Sequence, residues 1–268
     1  GDLYEGDWED NKYNGKGTFI SKTGEKYIGL WVNGMRDGQG VLLNNNSEKY
    51  QGLWKTNQRN GYGMQIYGNG DKYEGEWKND QKDGSGIMVY ATGIKYDGIW
   101  EKDIKEGIGL QTYENGDVYN GEWINNKRSG KGLMTFVNGD IYDGDWYNGR
   151  IQGMGQYAYL DGSIYNGEWI NNKRNGKGTY TNKLKEKYIG DWKDNLKEGQ
   201  GTHTDSSGNK YKGSWENNNR NGNGTFTDIF GHRYTGNWTN GMREGKGTYS
   251  FVGQKKDKSH TSDLLYFM

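Results

Sequence analysis

A strict 23-residue period constrains the fold of this chain more than any other feature of its sequence. A tyrosine recurs at every period from Tyr4 to Tyr234 without an insertion, and a tryptophan follows each of these eleven tyrosines after four residues. A glycine lies midway between the two rings, and a Gly-x-Gly pair follows seven residues after each tryptophan, as at Gly15 and Gly17. Such a period predicts that copies of one small structural unit stack along the chain.

The spacing within each period predicts a β-hairpin. Tyr, Gly and Trp at alternate positions share one face of a strand. Three residues after each tryptophan stands Gly, Asn or Asp, the residues that tolerate positive φ, so a tight turn is expected there. Asn115-Gly116 and similar pairs predict a second turn between repeats. Because a lone hairpin is marginally stable, the hairpins are expected to stack into one long, twisted antiparallel meander, a rod of roughly 100 Å.

Composition predicts a core made of rings rather than aliphatic side chains. Apolar residues amount to only 30% of the chain, whereas aromatic residues reach 15% and glycine occurs 47 times. A glycine opposite a ring leaves space for it and lets the strand bend. We therefore expect each ring to pack on glycine.

Charge, cysteine content and hydropathy limit the classes of function. Lys and Arg balance Asp and Glu at 35 each, so nucleic-acid binding is not expected. The absence of cysteine fits a reducing compartment, and no segment reads as a membrane span or a signal peptide, so we expect a cytoplasmic protein. The start at Gly1, within a turn, suggests part of a longer protein.

No arrangement typical of catalysis or metal binding stands out. His203, His232 and His260 are separated by 29 and 28 residues and lack clustered carboxylate ligands. The Gly-x-Gly pairs precede β-prone residues rather than a helix, unlike nucleotide-binding loops. Acidic residues three positions after the repeat tyrosine are expected on the solvent face. We therefore expect no enzyme activity, no cofactor and no metal.

Tyr-x-Gly-x-Trp followed by Gly-x-Gly on this period resembles the MORN (membrane occupation and recognition nexus) repeat. The resemblance covers about residues 1–251 and implies an all-β, single-domain chain of eleven hairpin repeats. Residues 252–268 would then form a tail that caps the open sheet edge or docks to a partner.

Proteins similar in this way include radial spoke heads of the ciliary axoneme, cytoskeletal scaffolds, junctional membrane tethers, and regulatory segments of lipid kinases and methyltransferases. The resemblance therefore implies a non-enzymatic scaffold or spacer in a ciliary or cytoskeletal assembly, whose partners are other proteins or further copies of itself. Two alternatives stay open. One is a tether to anionic membrane phospholipids, and the other is a regulatory segment of a larger enzyme.

A row of cations is a first candidate for a binding surface. Nine repeats carry Lys or Arg in the loop after tryptophan, and Tyr13 and Ile151 replace it in the other two. Along one edge, about 10 Å apart, they could contact an acidic partner or lipid headgroups at about 1 kcal/mol each. An acidic residue directly follows five of them and cancels much of their field, which favours an ordinary solvated edge. The nine are Arg36, Arg59, Lys82, Lys105, Arg128, Arg174, Lys197, Arg220 and Arg243.

The second candidate is the face of the sheet opposite the rings, which we call the back face. If both glycines of Gly-x-Gly share the ring face, aliphatic residues of repeats 2–6 and threonines of repeats 8–11 point to the back. An exposed apolar patch is typical of a partner-binding surface, although a locally thicker core would give the same pattern. The candidates are Ile28, Leu30, Val41, Leu43, Leu53, Met64, Ile66, Ile87, Val89 and Ile99.

Overall fold

A computed structural model describes residues 1–253 and 265–266, which contain only β-strands and the segments that join them. The chain divides into two compact units, residues 1–137 (unit 1) and residues 138–268 (unit 2). Nothing in the described part of the chain qualifies as a helix long and apolar enough to cross a membrane.

Unit 1 contains twelve strands that alternate between seven and nine residues. Each strand pairs antiparallel with the next along the chain. The strands are β1 Leu3–Glu9, β2 Lys12–Ile20, β3 Lys26–Val32, β4 Met35–Leu43, β5 Lys49–Lys55, β6 Gln58–Ile66, β7 Lys72–Lys78, β8 Gln81–Val89, β9 Lys95–Glu101, β10 Ile104–Thr112, β11 Val118–Ile124 and β12 Lys127–Thr135.

In unit 2 the strands from β13 to β22 show the same alternation and the same antiparallel pairing of successive strands. Within each unit the predicted all-β meander of hairpin repeats is therefore confirmed. The strands are β13 Ile141–Tyr147, β14 Arg150–Ala158, β15 Ile164–Ile170, β16 Lys173–Thr181, β17 Lys187–Lys193, β18 Leu196–Thr204, β19 Lys210–Glu216, β20 Asn219–Thr227, β21 Arg233–Thr239, β22 Met242–Ser250 and β23 Leu265–Tyr266.

The two predicted turns of each repeat are present. Asn125 and Asn126, which join β11 to β12, both have positive φ, at 49° and 64°. Two positive φ angles define the turn that matches the twist of paired strands, and Asn tolerates them well. Between β6 and β7 the turn closes through Gly70 N–H, which donates to the Tyr67 carbonyl at 2.9 Å. Gly70 has φ 89°, so glycine suits this position.

The core consists of tyrosine rings that lie over facing glycines. Gly121 of β11 pairs with Gly132 of β12, and the Tyr119 ring is fully buried against them. A Cβ at Gly132 would lie 2.5 Å from Tyr119 Cε2, and a Cβ at Gly121 would lie 2.5 Å from Gly132 Cα. Real Cβ atoms do not approach so closely, so only glycine fits. The prediction that rings pack on glycine is confirmed.

Within each unit, tryptophans link successive repeats. Trp123 meets the Tyr119 ring edge-on at 5.4 Å and the preceding Tyr96 at 5.3 Å. Its indole N–H donates to the Gly109 carbonyl at 3.0 Å, so the polar atom of this buried ring is satisfied. The ten tryptophans from Trp31 to Trp238 are at most 6% exposed. The buried core of each unit therefore lies on the face of the sheet that carries the tyrosine and tryptophan rings, which we call the ring face.

A β-bulge interrupts each hairpin at the same place. In β11–β12 the register shifts between Gly121 and Glu122, because the second strand has two residues more than the first. Gly130, within the bulge, has φ 56°. The bulge lets Trp123 pair with Arg128 on the ring face.

The C-terminal tail is described in part. Leu265–Tyr266 pairs antiparallel with Thr248 and Tyr249 of β22. Residues 254–264 and 267–268, including His260, lie outside the described residues. The predicted role of residues 252–268 as an edge cap or docking segment stays a prediction.

We expect Gly121→Val to lower the free energy of unfolding by about 1–3 kcal/mol, because its side chain must displace the Tyr119 ring or the facing strand. Asn120→Val is the matched control, since Asn120 precedes Gly121 in β11 and points to solvent on the back face. Denaturant unfolding of both variants measures the difference. Equal stability of the two variants would contradict packing of rings on bare backbone.

Candidate protein-binding surface

The nine predicted cations lie on the ring face, which corrects their expected placement along an exposed edge. Each residue stands opposite a tryptophan in its own hairpin, as Arg36 does opposite Trp31, and cross-strand partners share a face. The Arg36 guanidinium lies 4.3 Å from the ring centroid of Trp54 in the next repeat and 5.7 Å from that of Tyr27. These cation–π contacts hold neighbouring repeats together.

The other eight cations make the same kind of contact with one or more aromatic rings. A ring centroid lies between 4.1 and 5.7 Å from the charged group in every case. Arg59 and Lys82 also meet carboxylates, with Arg59 Nε 3.0 Å from Asp80 and Lys82 Nζ 3.8 Å from Asp103. Their proposed role as lipid or acidic-partner contacts stays a prediction, but these groups already have partners. The eight are Arg59, Lys82, Lys105, Arg128, Arg174, Lys197, Arg220 and Arg243.

Lys105 is the most buried of these cations, at 9% exposed. Its Nζ lies 4.6 Å from the centroid of Tyr96 and donates to Gln111 Oε1 at 2.6 Å. Removal from water, with Lys82 nearby, lowers the pKa of Lys105 to about 8. Burial also lowers the pKa of Lys82, but there the Asp103 carboxylate opposes the shift.

We expect the Lys105 ammonium to titrate near pH 8 and below Lys82, since the Asp103 carboxylate opposes the lowering of the Lys82 pKa. Because the folded pKa lies below the unfolded value, the unfolded chain binds more protons between pH 8 and about 10.4, and stability should rise across that range. NMR of ¹³C-labelled lysines gives both titration midpoints, with Lys105→Met to assign the signal. A Lys105 midpoint above pH 10 would contradict the burial of its charge.

The back face carries the ten aliphatic candidates, as the sequence predicts. Ile28 of β3 pairs with Val41 of β4. Both side chains point to the face of the sheet opposite to the one that holds the buried Tyr27 and Trp31 rings. Five of the ten are between 36% and 43% exposed, and the other five are half-buried. The exposed five are Ile28, Leu30, Leu43, Val89 and Ile99; the half-buried five are Val41, Leu53, Met64, Ile66 and Ile87. Whether they bind a partner stays a prediction.

The strand register places polar side chains between many of these aliphatic residues. Lys72 of β7 stands between Ile66 and Val89, and Glu74 stands between Met64 and Ile87. From β6 to β8 the aliphatic residues therefore occupy alternate strands. The apolar surface is densest on β3 and β4, where the four members are Ile28, Leu30, Val41 and Leu43.

Beside each bulge, the back face carries a side chain whose role the sequence did not reveal. In six repeats a carboxylate there accepts the backbone N–H nine residues later, at 2.8–3.3 Å. These carboxylates satisfy the irregular backbone of the bulge. Their recurrence three residues after the tyrosine was the available signal. The six are Asp7, Glu76, Glu122, Asp145, Glu168 and Asp191.

Leu30, Leu53 and Ile99 occupy the same position in repeats 2, 3 and 5 and cannot accept this hydrogen bond. Their side chains lie beside the bulge glycine instead. A Cβ at Gly38 would lie 2.9 Å from Leu30 Cδ1, and one at Gly61 would lie 2.8 Å from Leu53 Cδ1. Three repeats thus carry an exposed or half-exposed aliphatic group where six repeats carry a stabilising carboxylate.

Replacing the carboxylate by an aliphatic side chain at this position should lower stability, whereas the reverse replacement should not. We expect Glu122→Leu to lower the free energy of unfolding by about 1 kcal/mol, since the Lys131 amide loses a charged acceptor at 2.9 Å. Leu53→Glu should leave stability unchanged or raise it, because glutamate can accept the corresponding amide. Thermal and denaturant unfolding measure both. A destabilised Leu53→Glu variant would place Leu53 in the core.

The comparisons with known proteins agree with this geometry. The MORN repeat model matches eleven segments of the chain, at residues 4–26, 27–47, 50–72, 73–95, 96–118, 119–141, 142–164, 165–182, 188–210, 211–228 and 234–254. The chain therefore belongs to the MORN-repeat family, whose repeats generally mediate interactions with proteins or membranes. A comparison with curated proteins found no match.

Two solved structures show how far the likeness to other β-proteins extends. The TCP10 domain of Danio rerio CPAP, in complex with a STIL peptide, is 8% identical, with 80% of this chain and 94% of that chain covered and a TM-score of 0.46. The TCP domain of Drosophila melanogaster SAS-4, in complex with a proline-rich motif of Ana2, is 16% identical, with 65% and 88% covered and a TM-score of 0.37.

Proposed function

We propose that this chain is a non-enzymatic scaffold or spacer that binds another protein through the back face of β3–β6. The observation that carries the proposal is the replacement of the bulge carboxylate by Leu30 and Leu53. A carboxylate there would accept a hydrogen bond from the bulge amide and would keep this part of the surface hydrated. Aliphatic side chains do neither, so their place in two successive repeats favours contact with a partner.

The neighbouring side chains supply enough apolar surface for a small binding hot spot. Ile28 is 43% exposed and Leu30 is 36% exposed, and Val41 and Leu43 lie on the adjacent strand. Complete burial of a Leu or Ile side chain contributes about 1.5–3 kcal/mol, so the exposed part of each contributes about 1 kcal/mol. A partner that covers this cluster gains a few kcal/mol, in the range of an interface hot spot.

The broader setting is part of the same proposal. A ciliary or cytoskeletal assembly in the cytoplasm suits a chain of repeats that presents side chains at regular intervals. A membrane tether through the nine ring-face cations is less favoured, because their charged groups already contact rings. A regulatory segment of a larger enzyme would use the same back face to hold a catalytic domain.

The variant Leu30→Glu/Leu53→Glu should keep the fold and lose the partner. Glutamate is compatible with the position, since Glu76, Glu122 and Glu168 occupy it. The measurement is co-purification of the native assembly with the tagged chain, together with the melting temperature of the purified variant. We expect an unchanged melting temperature and at least a tenfold loss of bound partner.

Ser214→Glu/Asn237→Glu is the matched control, because both residues occupy the same repeat position in unit 2. The control should bind the partner like the unaltered chain. If the Leu30→Glu/Leu53→Glu variant folds and still co-purifies with its partner, the binding surface lies elsewhere and the proposal fails. Equal loss of partner in the control would indicate a general effect of added charge.

A further inference from the structure

Pairs of aliphatic side chains on the back face of unit 1 form three apolar stripes, one on the second strand of each successive hairpin. The two residues of a stripe stand two positions apart, so they point to the same face of the sheet. Leu43 and Val89 are 36% and 39% exposed, and the other four are half-buried, so solvent reaches all three stripes. The stripes are Val41 and Leu43 of β4, Met64 and Ile66 of β6, and Ile87 and Val89 of β8.

Polar residues of the first strands separate these stripes. On β5, Lys49 and Gln51 stand between the first stripe and the second. On β7, Lys72 and Glu74 stand between the second stripe and the third. Because neighbouring strands lie about 4.8 Å apart, an apolar stripe recurs every two strands, or about 9.6 Å.

A row of lysines on the same face has the same spacing. Lys26, Lys49, Lys72 and Lys95 are the first residues of β3, β5, β7 and β9. Lys95 Nζ lies 3.7 Å from Asp97, whereas across residues 1–253 no ion pair involves Lys49 or Lys72. Lysine charges without a carboxylate partner therefore lie beside the apolar stripes.

Unit 2 keeps such lysines but lacks the stripes. Lys187 and Lys210 begin β17 and β19, as Lys49 and Lys72 begin β5 and β7. The combination of an apolar stripe with a lysine in each hairpin is therefore not a requirement of the fold. The stripe positions of unit 2 hold threonine instead, at Thr179 and Thr181 of β16, Thr202 and Thr204 of β18, and Thr225 and Thr227 of β20.

We propose that the three stripes bind an amphipathic α-helix of a partner protein, which crosses the strands and carries acidic residues on the flank that faces the lysines. Seven residues of an α-helix rise about 10.5 Å, so an apolar side chain at every seventh position meets successive stripes. The difference from the stripe spacing amounts to about 2 Å over three stripes, which side chains can absorb. This inference rests on the proposed function, since it names the partner of the same back face and extends that surface to β8.

Other modes of peptide recognition do not match this surface. Each strand from β4 to β8 pairs on both sides, so a partner cannot add a strand there. Proline-rich segments bind in grooves lined by aromatic rings. The back face of β3–β9 carries one aromatic residue, Tyr62, whose hydroxyl donates to Glu74 Oε1 at 2.8 Å. Aliphatic stripes beside lysines instead complement a helix with one apolar face and one acidic flank.

The test measures how fast the partner sequence advances along the row of hairpins. Single cysteines at Gln51, Glu74 and Asp97 carry a short photoreactive label, which leaves the stripes intact because these residues lie between or beside them in one row. The labelled chains are crosslinked within their native assembly, and mass spectrometry identifies the crosslinked partner residues. Positions 51 and 97 lie two repeats, or about 19 Å, apart.

We expect the partner residues crosslinked from positions 51 and 97 to be about 13 residues apart, with those from position 74 midway, because a helix rises 1.5 Å per residue. An extended partner segment would give a separation of about six residues. That separation, crosslinks in no constant order, or no crosslink from this row would overturn the helix. The Leu30→Glu/Leu53→Glu variant decides separately whether the back face binds a partner, so the two failures are distinguishable.

Charge reversal tests the acidic flank. Lys49→Glu/Lys72→Glu should reduce the amount of co-purified partner at least about tenfold, because two attractive contacts become repulsive. Lys187→Glu/Lys210→Glu is the matched control in unit 2 and should bind the partner like the unaltered chain. Thermal melts establish that both variants fold. Undiminished binding by the Lys49→Glu/Lys72→Glu variant, or equal loss in both variants, would overturn the acidic flank.

Discussion

The close approach of each tyrosine ring to a pair of facing glycines is the interaction on which this structure depends. A fold with few aliphatic residues must gain stability from rings, and rings lie this close to backbone only where Cβ atoms are absent. Tyr119 illustrates the full set of contacts, since its ring covers Gly121 and Gly132 while its hydroxyl donates to the Glu122 carbonyl at 3.0 Å. The strict period of Tyr, Gly and Trp follows from this requirement.

The ring face leaves little freedom for function because its groups already contact one another. Tryptophan N–H groups donate to glycine carbonyls, and the cations lie over the rings. Backbone contacts extend the same links, since Arg36 N–H donates to the Asn57 side chain at 2.8 Å and Asn57 N–H returns a bond to the Arg36 carbonyl at 2.9 Å. Residues on the back face can vary without loss of these contacts. The aliphatic residues of repeats 2–6 and the threonines of repeats 8–11 are two outcomes of that freedom.

Much of the fold could be predicted from the sequence, because the period fixes strand, turn and face together. The Asn125-Asn126 turn, the packing of Tyr119 on glycine and the back-face position of Ile28 all follow from spacing. The placement of the cations could also have been predicted, since Arg36 alternates with Gly38 and Gly40 along β4 and so shares the ring face. The same parity that assigns the aliphatic residues to the back face assigns these cations to the ring face.

Other features depend on geometry that spacing does not contain. The bulge and its extra residues determine which backbone amide the Glu122 carboxylate reaches. A sequence pattern does not give the distance between the carboxylate and that amide. The interleaving of Lys72 between Ile66 and Val89 follows from the register between neighbouring repeats rather than from the order within one repeat. The buried environment of Lys105 depends on rings that are distant in sequence: Tyr90 in the connection after β8, Tyr96 in β9 and Trp123 in β11. Each of these features depends on how the strands pair.

The most direct test of the account is site-specific crosslinking, which the chain permits because it contains no native cysteine. Single cysteines at Leu30 and Leu53 place a photoreactive label on the back face of unit 1, and one at Tyr113 places it beside the ring-face Arg128. The labelled chains are crosslinked within their native assembly, and the partner is identified by mass spectrometry. The account predicts one partner crosslinked from positions 30 and 53 and not from position 113. Crosslinks to that partner from position 113 alone would contradict it, because binding would then use the ring face.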